Sequence, residues 1–169
     1  MNAAPPPPSR ESRLAVLVQL EQRVRACANE DALAFLMVND THALAPYRQA
    51  VLWQAGEDGG RIVALSGLAV PDAHAPFNVW LQRLLAAHAA QATAAGALTC
   101  PADPAEAALW AEHLPPHGWW LPLPAGPDAA GLLLLRDEPW SGADTALLAL
   151  YAEACAHARN ALRQRAGAG

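Results

Sequence analysis

The chain contains no lysine: all 11 of its basic residues are arginine, set against 16 acidic ones, and the net charge is −5. Such a deficit of positive charge gives no general phosphate-binding surface, so a nucleic-acid partner is not expected. Cysteine is also scarce. Cys27, Cys100 and Cys155 are odd in number and far apart. That suits buried thiols in a reducing cytoplasm better than a disulfide framework. No run reaches the roughly 18 apolar residues that a membrane-spanning helix needs, and runs such as AAGLLLLR are strand-sized. The start, MNAAPPPPSRES, lacks an apolar h-region, so it is read as a flexible proline-rich leader over residues 1–10 rather than a secretory signal.

Catalytic frames are missing as well. There is no nucleophile elbow, no Ser-His-Asp spacing and no framed pair of carboxylates. Cys100 beside Pro101, with His88 and His113 in the same half of the chain, offers a Cys-His combination, but three scattered cysteines are read more simply as chance. Cys100, Asp103, Glu112, His113 and His117 make one weak cluster, interrupted by prolines, where zinc needs paired close ligands. GEDGGR lacks the spacing, the following helix and the lysine of a phosphate loop, and is read as a hairpin turn. No enzyme activity, cofactor or metal is expected.

What is present is apolar mass. Hydrophobic residues make up 53% of 169 residues, enough for one core, so a single domain is expected over residues 11–165 with a short flexible tail at 166–169. Leu17, Leu20, Val24 and Cys27 recur at helical spacing between Glu11 and Asn29, with Ser12 near the start. A second helix is expected from about Asp31. The period then changes. YRQAVLWQAG and RIVALSGLAV, joined by a glycine-rich turn, read as an antiparallel hairpin, with the Tyr47-Arg48-Gln49 triplet opening its first strand. FNVWLQRLLAAHAAQATAA reads as an amphipathic helix, and the following segment as loop with a short helix near Ala105–Leu114. GWWLPLPAG and GLLLLRDEPW give two more strands, the last apolar enough for a central position. SGADTALLALYAEACAHARNALRQR closes the chain as a long helix, with Ser141 as cap and Asp144 in its first turn. The result is an α+β layer with helices against one side of the sheet and at its ends.

This order resembles a GAF domain. The likeness covers about Asp31 to Leu162 and is carried by the paired amphipathic helices, PYRQAVLW, GRIVALSG and GLLLLRDEPWSGADTALLALYAEACAHARNAL. More narrowly, MVNDTHALAPYRQAVLWQ with VALSGLAVPDAHAPF resembles the cytoplasmic GAF-like region that precedes the membrane anchor in some bacterial type I secretion membrane-fusion adaptors. The chain ends at RQRAGAG, so a detached fragment or stand-alone relative is expected. The resemblance implies a non-catalytic sensory or association module of a secretion or signalling system, cytoplasmic, with a secretion-system protein as partner. It also implies homodimerisation through the terminal helices, for which the closing helix offers the stripe Leu147, Tyr151, Ala154, Ala158 and Ala161 or Leu162 and the first helix Leu17, Leu20, Val24 and Cys27; the alternative is that both stripes are consumed inside one protomer, the two helices packing on each other beneath the sheet. The alternative it implies is a small-molecule receptor whose pocket lies between sheet and helices. Arg48, Trp53, Ser66, Trp80, His117 and Trp119 are the candidate ligand-binding residues, with Trp110 and Trp120 in the same segments. The competing reading is that the tryptophans fill the core and Arg48 pairs with Asp40 or Asp72. A redox enzyme of the GAF-like methionine sulfoxide reductase kind would need clustered cysteines, and Cys27 and Cys155 lie on helices at opposite ends of the chain.

Overall fold

The computed structural model describes residues 9–66, 75–123 and 129–168. Residues 1–8 of the expected leader, and Asp72, lie outside the described residues. In chain order the elements are α1 (Arg10–Arg25), α2 (Glu30–Asn39), a 3-10 turn (Thr41–Ala43), β1 (Gln49–Gln54), β2 (Arg61–Leu65), α3 (Pro76–Gln91), β3 (Gly96–Thr99), α4 (Pro104–His113), β4 (His117–Leu123), β5 (Ala130–Arg136) and α5 (Gly142–Ala168).

Capping chemistry explains where the first helices differ from expectation. The Ser9 hydroxyl accepts a hydrogen bond from the Ser12 backbone N–H, so Ser9 rather than Ser12 is the cap and α1 begins at Arg10. Asn29 does not end the first helix but starts the second. Its side-chain oxygen accepts from the Ala32 N–H, and Glu30 and Asp31 occupy the first turn where the helix dipole favours carboxylates. At α5, Ser141 caps as expected, its hydroxyl accepting from the Asp144 N–H at 3.1 Å.

The five strands pair antiparallel throughout in the order β2-β1-β5-β4-β3. The leucine-rich β5 takes the centre, as its unbroken apolar run requires. β3 falls in a segment expected to be loop. It is a four-residue edge strand with one buried side chain, Leu98, and such a strand has almost no alternation to read. The β1–β2 turn uses Gly59 and Gly60 at φ of 91° and 101°, the region glycine enters without steric cost. A side chain at Gly60 would also strike the Trp53 indole. The β1–β2 register slips between Leu52 and Trp53. That irregularity lets Ile62 and Leu65, three residues apart, face the same side as Val51 and Trp53.

Alternation divides the sheet into two cores, and both faces are covered, not one. Ala50, Leu52, Leu121, Leu123, Leu132 and Leu134 point to the side packed by α1, α2 and α5. Val51, Trp53, Trp120, Leu133 and Leu135 point to the side that carries Trp80, Leu81 and Leu85 from α3 and Trp110 from α4. The N- and C-terminal helices pack together. Leu17, Leu20, Val24, Leu147, Tyr151, Ala158 and Leu162, expected as a seam between copies, are buried inside the protomer. The sheet needs that apolar surface for its own cover.

A charged knot fixes α1 and α5 to the sheet. Asp144, buried near the start of α5, accepts from Arg13 of α1 and, at 2.8 Å, from Arg136 at the end of β5. Arg13 also donates to the Leu44 carbonyl. Arg136 donates to the Glu138 and Pro139 carbonyls and lies 3.9 Å from the centre of the Trp140 ring, whose N–H donates to the His117 carbonyl. Burial pushes the Asp144 carboxyl upward, but hydrogen bonds from Arg136, Arg13 and Ser141 outweigh it and hold the group below its ordinary value. Among the described residues, no helix is long and apolar enough to cross a membrane.

Candidate functional site

The six candidate ligand residues do not converge. Sheet alternation sends Trp53 to the face under α3, into the same buried cluster as Trp80, but sends Trp119 to the opposite face. Its neighbour Trp120 takes the place expected of Trp119. Trp120 lies 6.2 Å from Trp53, centre to centre, and covers Gly131, where any side chain would collide with the indole. Arg48, Ser66 and His117 sit instead at one end of the sheet. There, Arg48 donates its backbone N–H to Leu135, Ser66 pairs with Ala50, and His117 lies opposite Arg136.

Each of those polar groups has a local use. One guanidinium nitrogen of Arg48, Nη1, donates to both carboxylate oxygens of Asp137, at 2.8 and 3.0 Å, in an ion pair whose side chains are 62% and 53% exposed. The carboxylate is not Asp40, which pairs with Arg23, and Asp72 lies outside the described residues. The Ser66 hydroxyl accepts the Ala50 N–H at 2.9 Å, closing the end of the hairpin. Tyr47, first of the opening triplet, is buried and donates its hydroxyl to the Val38 carbonyl, so it ties the strand to α2.

The face under α3 and α4 is filled. Trp53, Trp80, Trp110 and Trp120 are all buried there among leucines. The Trp110 indole donates to the Pro115 carbonyl at 3.0 Å. The indole N–H groups of Trp53, Trp80 and Trp120 have no hydrogen-bond partner among the described residues, and neither does that of Trp119 on the other face. Unpaired buried donors of this kind cost on the order of 1–3 kcal/mol each. His88 stands edge-on to Trp120 at 5.5 Å, and burial lowers its pKa. Nothing in the local spacing marked His88 for this place, because its partner is 32 positions away.

Among the described residues, no three His, Cys, Asp or Glu side chains group closely enough to hold a metal ion. His113 stacks on Phe77 at 4.6 Å, and Cys100 is exposed. The packing of α1 on α5 brings Cys27 and Cys155 to the same helical core, despite their separation in sequence. Burial raises both thiols, Cys155 to about 12, which leaves them protonated and poor nucleophiles.

A second feature lies on the outside of the helical layer. Leu14 and Val18 on α1 and Leu150 on α5 are 39%, 52% and 49% exposed. Clefts of about 460 and 650 Å³ flank them, the first lined by Leu14, Ala146 and Leu150 and the second by Arg25, His157, Ala161 and Arg165.

This arrangement of sheet and helices is the GAF fold. The GAF domain of a phosphoenolpyruvate-protein phosphotransferase from Coxiella burnetii aligns over 94% of this chain and 99% of its own, with a TM-score of 0.66 at 16% identity. The free methionine-R-sulfoxide reductase of Neisseria meningitidis, solved with its substrate, aligns over 98% and 99%, with a TM-score of 0.68 at 14% identity. The phycocyanobilin-bound GAF domain of a cyanobacterial phytochrome aligns over 90% and 96%, with a TM-score of 0.65 at 12% identity. No family model and no curated protein sequence matches the chain.

Proposed function

We propose that this chain is a GAF-fold association and sensory module that carries out no chemistry of its own. The observation that carries this reading is the apolar outer face of α1 and α5, where Leu14, Val18 and Leu150 stay exposed although the helices bury everything else they can. Covering half-exposed side chains of this size is worth roughly 1 kcal/mol each. Six of them, from two copies, amount to about 6 kcal/mol before the cost of association, so a dimer held by this face is weak, tens of micromolar at best. Sedimentation equilibrium from micromolar to near-millimolar concentration tests it: a reversible dimer is expected, and a chain that stays monomeric throughout removes the reading.

The unpaired indole donors favour a second reading, a receptor for a small molecule that accepts hydrogen bonds through a carbonyl or carboxylate. Such a ligand would enter beside Trp53, Trp80 and Trp120 by shifting their packing. A thermal-shift screen of compounds of that class should then give stabilisers that fail with Trp80→Phe. Cytoplasmic residence, and a protein partner in a bacterial secretion or signalling system, rest on the segment resemblance. The test for that partner is direct binding between the purified chain and the cytoplasmic part of a type I secretion component.

A further inference from the structure

Across the sheet from the α3 and α4 indoles, one small cavity in the helical layer has both signs of charge in its walls. Sheet alternation places Gln54 on the same face as Leu52, and Arg61, the cross-strand partner of Gln54, stands beside it. At this corner α2 packs on β1, β2 and α5. It brings Glu30 and Asp31 from its first turn, and α5 contributes Arg159. Together they enclose a cavity of about 80 Å³ whose apolar wall includes Leu33, Met37 and Leu52.

Arg159 sets this cavity apart. It is 6% exposed in a layer built mainly of leucine, and burying a guanidinium costs far more than burying a leucine. Five N–H donors in a planar fork let an arginine serve its neighbours in the protein and still offer a pair to a ligand carboxylate. The other charges are placed differently. Glu30 is engaged, accepting from Arg163 at 3.4 Å. Asp31 and Arg61 are exposed, at the rim. The walls thus hold a cation out of water's reach, with an acid and a second cation at the entrance.

A ligand that suits such walls carries both signs itself. A lone anion would meet Glu30 and Asp31 as well as the arginines, and a lone cation would meet Arg159 and Arg61. Volume sets a second limit. About 80 Å³ admits roughly half a dozen water-sized groups, close to the non-hydrogen atoms of glycine or alanine. We propose that this cavity is a binding site for a small free α-amino acid. Its carboxylate sits on Arg159, its ammonium turns toward Asp31, and its short side chain meets Leu33, Met37 and Leu52. The site lies across the sheet from the α3 and α4 indoles and needs no second copy, so it is independent of both readings above.

Isothermal titration of the full chain with alanine and with acetate tests the proposal, because acetate keeps the carboxylate and lacks the ammonium. Alanine should bind about fivefold more tightly than acetate, the upper range for an exposed ion pair. Asp31→Asn should bring the two level, and Arg159→Gln should abolish binding of both. Asp31 is exposed, so its variant keeps the fold even if Arg159→Gln does not, and circular dichroism checks each. A preference for alanine that Asp31→Asn removes sustains the proposal. Equal binding of acetate and alanine by the parent makes this a site for anions and overturns it. A preference that survives Asp31→Asn, alanine binding by a folded Arg159→Gln chain, or no binding of alanine by the parent overturns it as well.

Discussion

The two faces of the central sheet bury similar side chains but treat their polar groups differently. On the side of α1, α2 and α5, several polar side chains are tied into the structure, although the Trp119 indole N–H has no partner among the described residues. Thr41 bridges the Met37 carbonyl and the Tyr151 hydroxyl, Tyr47 reaches Val38, and the Asp144 knot joins two helices to a strand end. On the side of α3 and α4, three buried indole donors find no partner among the described residues. A face with more of its side-chain hydrogen bonds made is suited to hold still and present its outer helices to another molecule. The face with three buried indole donors unpartnered among the described residues relies more on packing, so it has more to gain from a ligand or a rearrangement.

Substitutions can break or sharpen this contrast. The largest effect is expected from Leu17→Glu, which puts a charge among the buried residues of the helical core; it should cost more than about 4 kcal/mol and abolish cooperative melting. Asp144→Asn should come next, at about 2–3 kcal/mol near neutral pH, because two arginines lose a charged acceptor. Its pH dependence has a definite sign. The folded carboxyl titrates below its ordinary value of 3.8, so its contribution is fully present above that value and is lost as pH falls through the depressed one. The gap in stability between parent and variant should therefore narrow only below about pH 4, as denaturant titrations at a series of pH values would show.

The contrast also predicts a difference between tryptophans. Trp110→Phe breaks a hydrogen bond and strands the Pro115 carbonyl, whereas Trp80→Phe removes a donor that had no partner. At similar loss of ring area, the first should cost about 1 kcal/mol more than the second in chemical denaturation. The smallest effect is expected at Arg48→Ala. Its pair with Asp137 is well exposed, so stability should change by about 1 kcal/mol or less.

How far the sequence could be read follows from the range of each signal. Local signals carried the hairpin at GEDGG, the Ser141 cap and the central place of the leucine-rich strand, because each depends on a few neighbouring residues. The edge strand at Gly96–Thr99 was too short to show a period. Trp119 and Trp120 exchanged roles because adjacent residues on a strand face opposite ways, and register is set by pairing with distant strands. The Asp144 knot spans 131 positions from Arg13, and no local pattern announces it. The helical stripes were legible as apolar, but apolarity alone could not say whether a protomer or a second copy would cover them. Only the exposure of Leu14, Val18 and Leu150 separates the inner face from the outer one.

Adjacent positions on α1 give the most direct test of the central claim, that the outer face of the terminal helices is where this module associates. Leu17 points into the core and Val18 points away from it. The measurement is the sedimentation mass of Val18→Glu beside that of the parent over the same concentrations, up to the range where the proposed dimer would form, taken alongside its far-ultraviolet circular dichroism. The account predicts a folded chain with the parent's spectrum and the mass of one protomer. A folded Val18→Glu variant that keeps the dimer mass would contradict it.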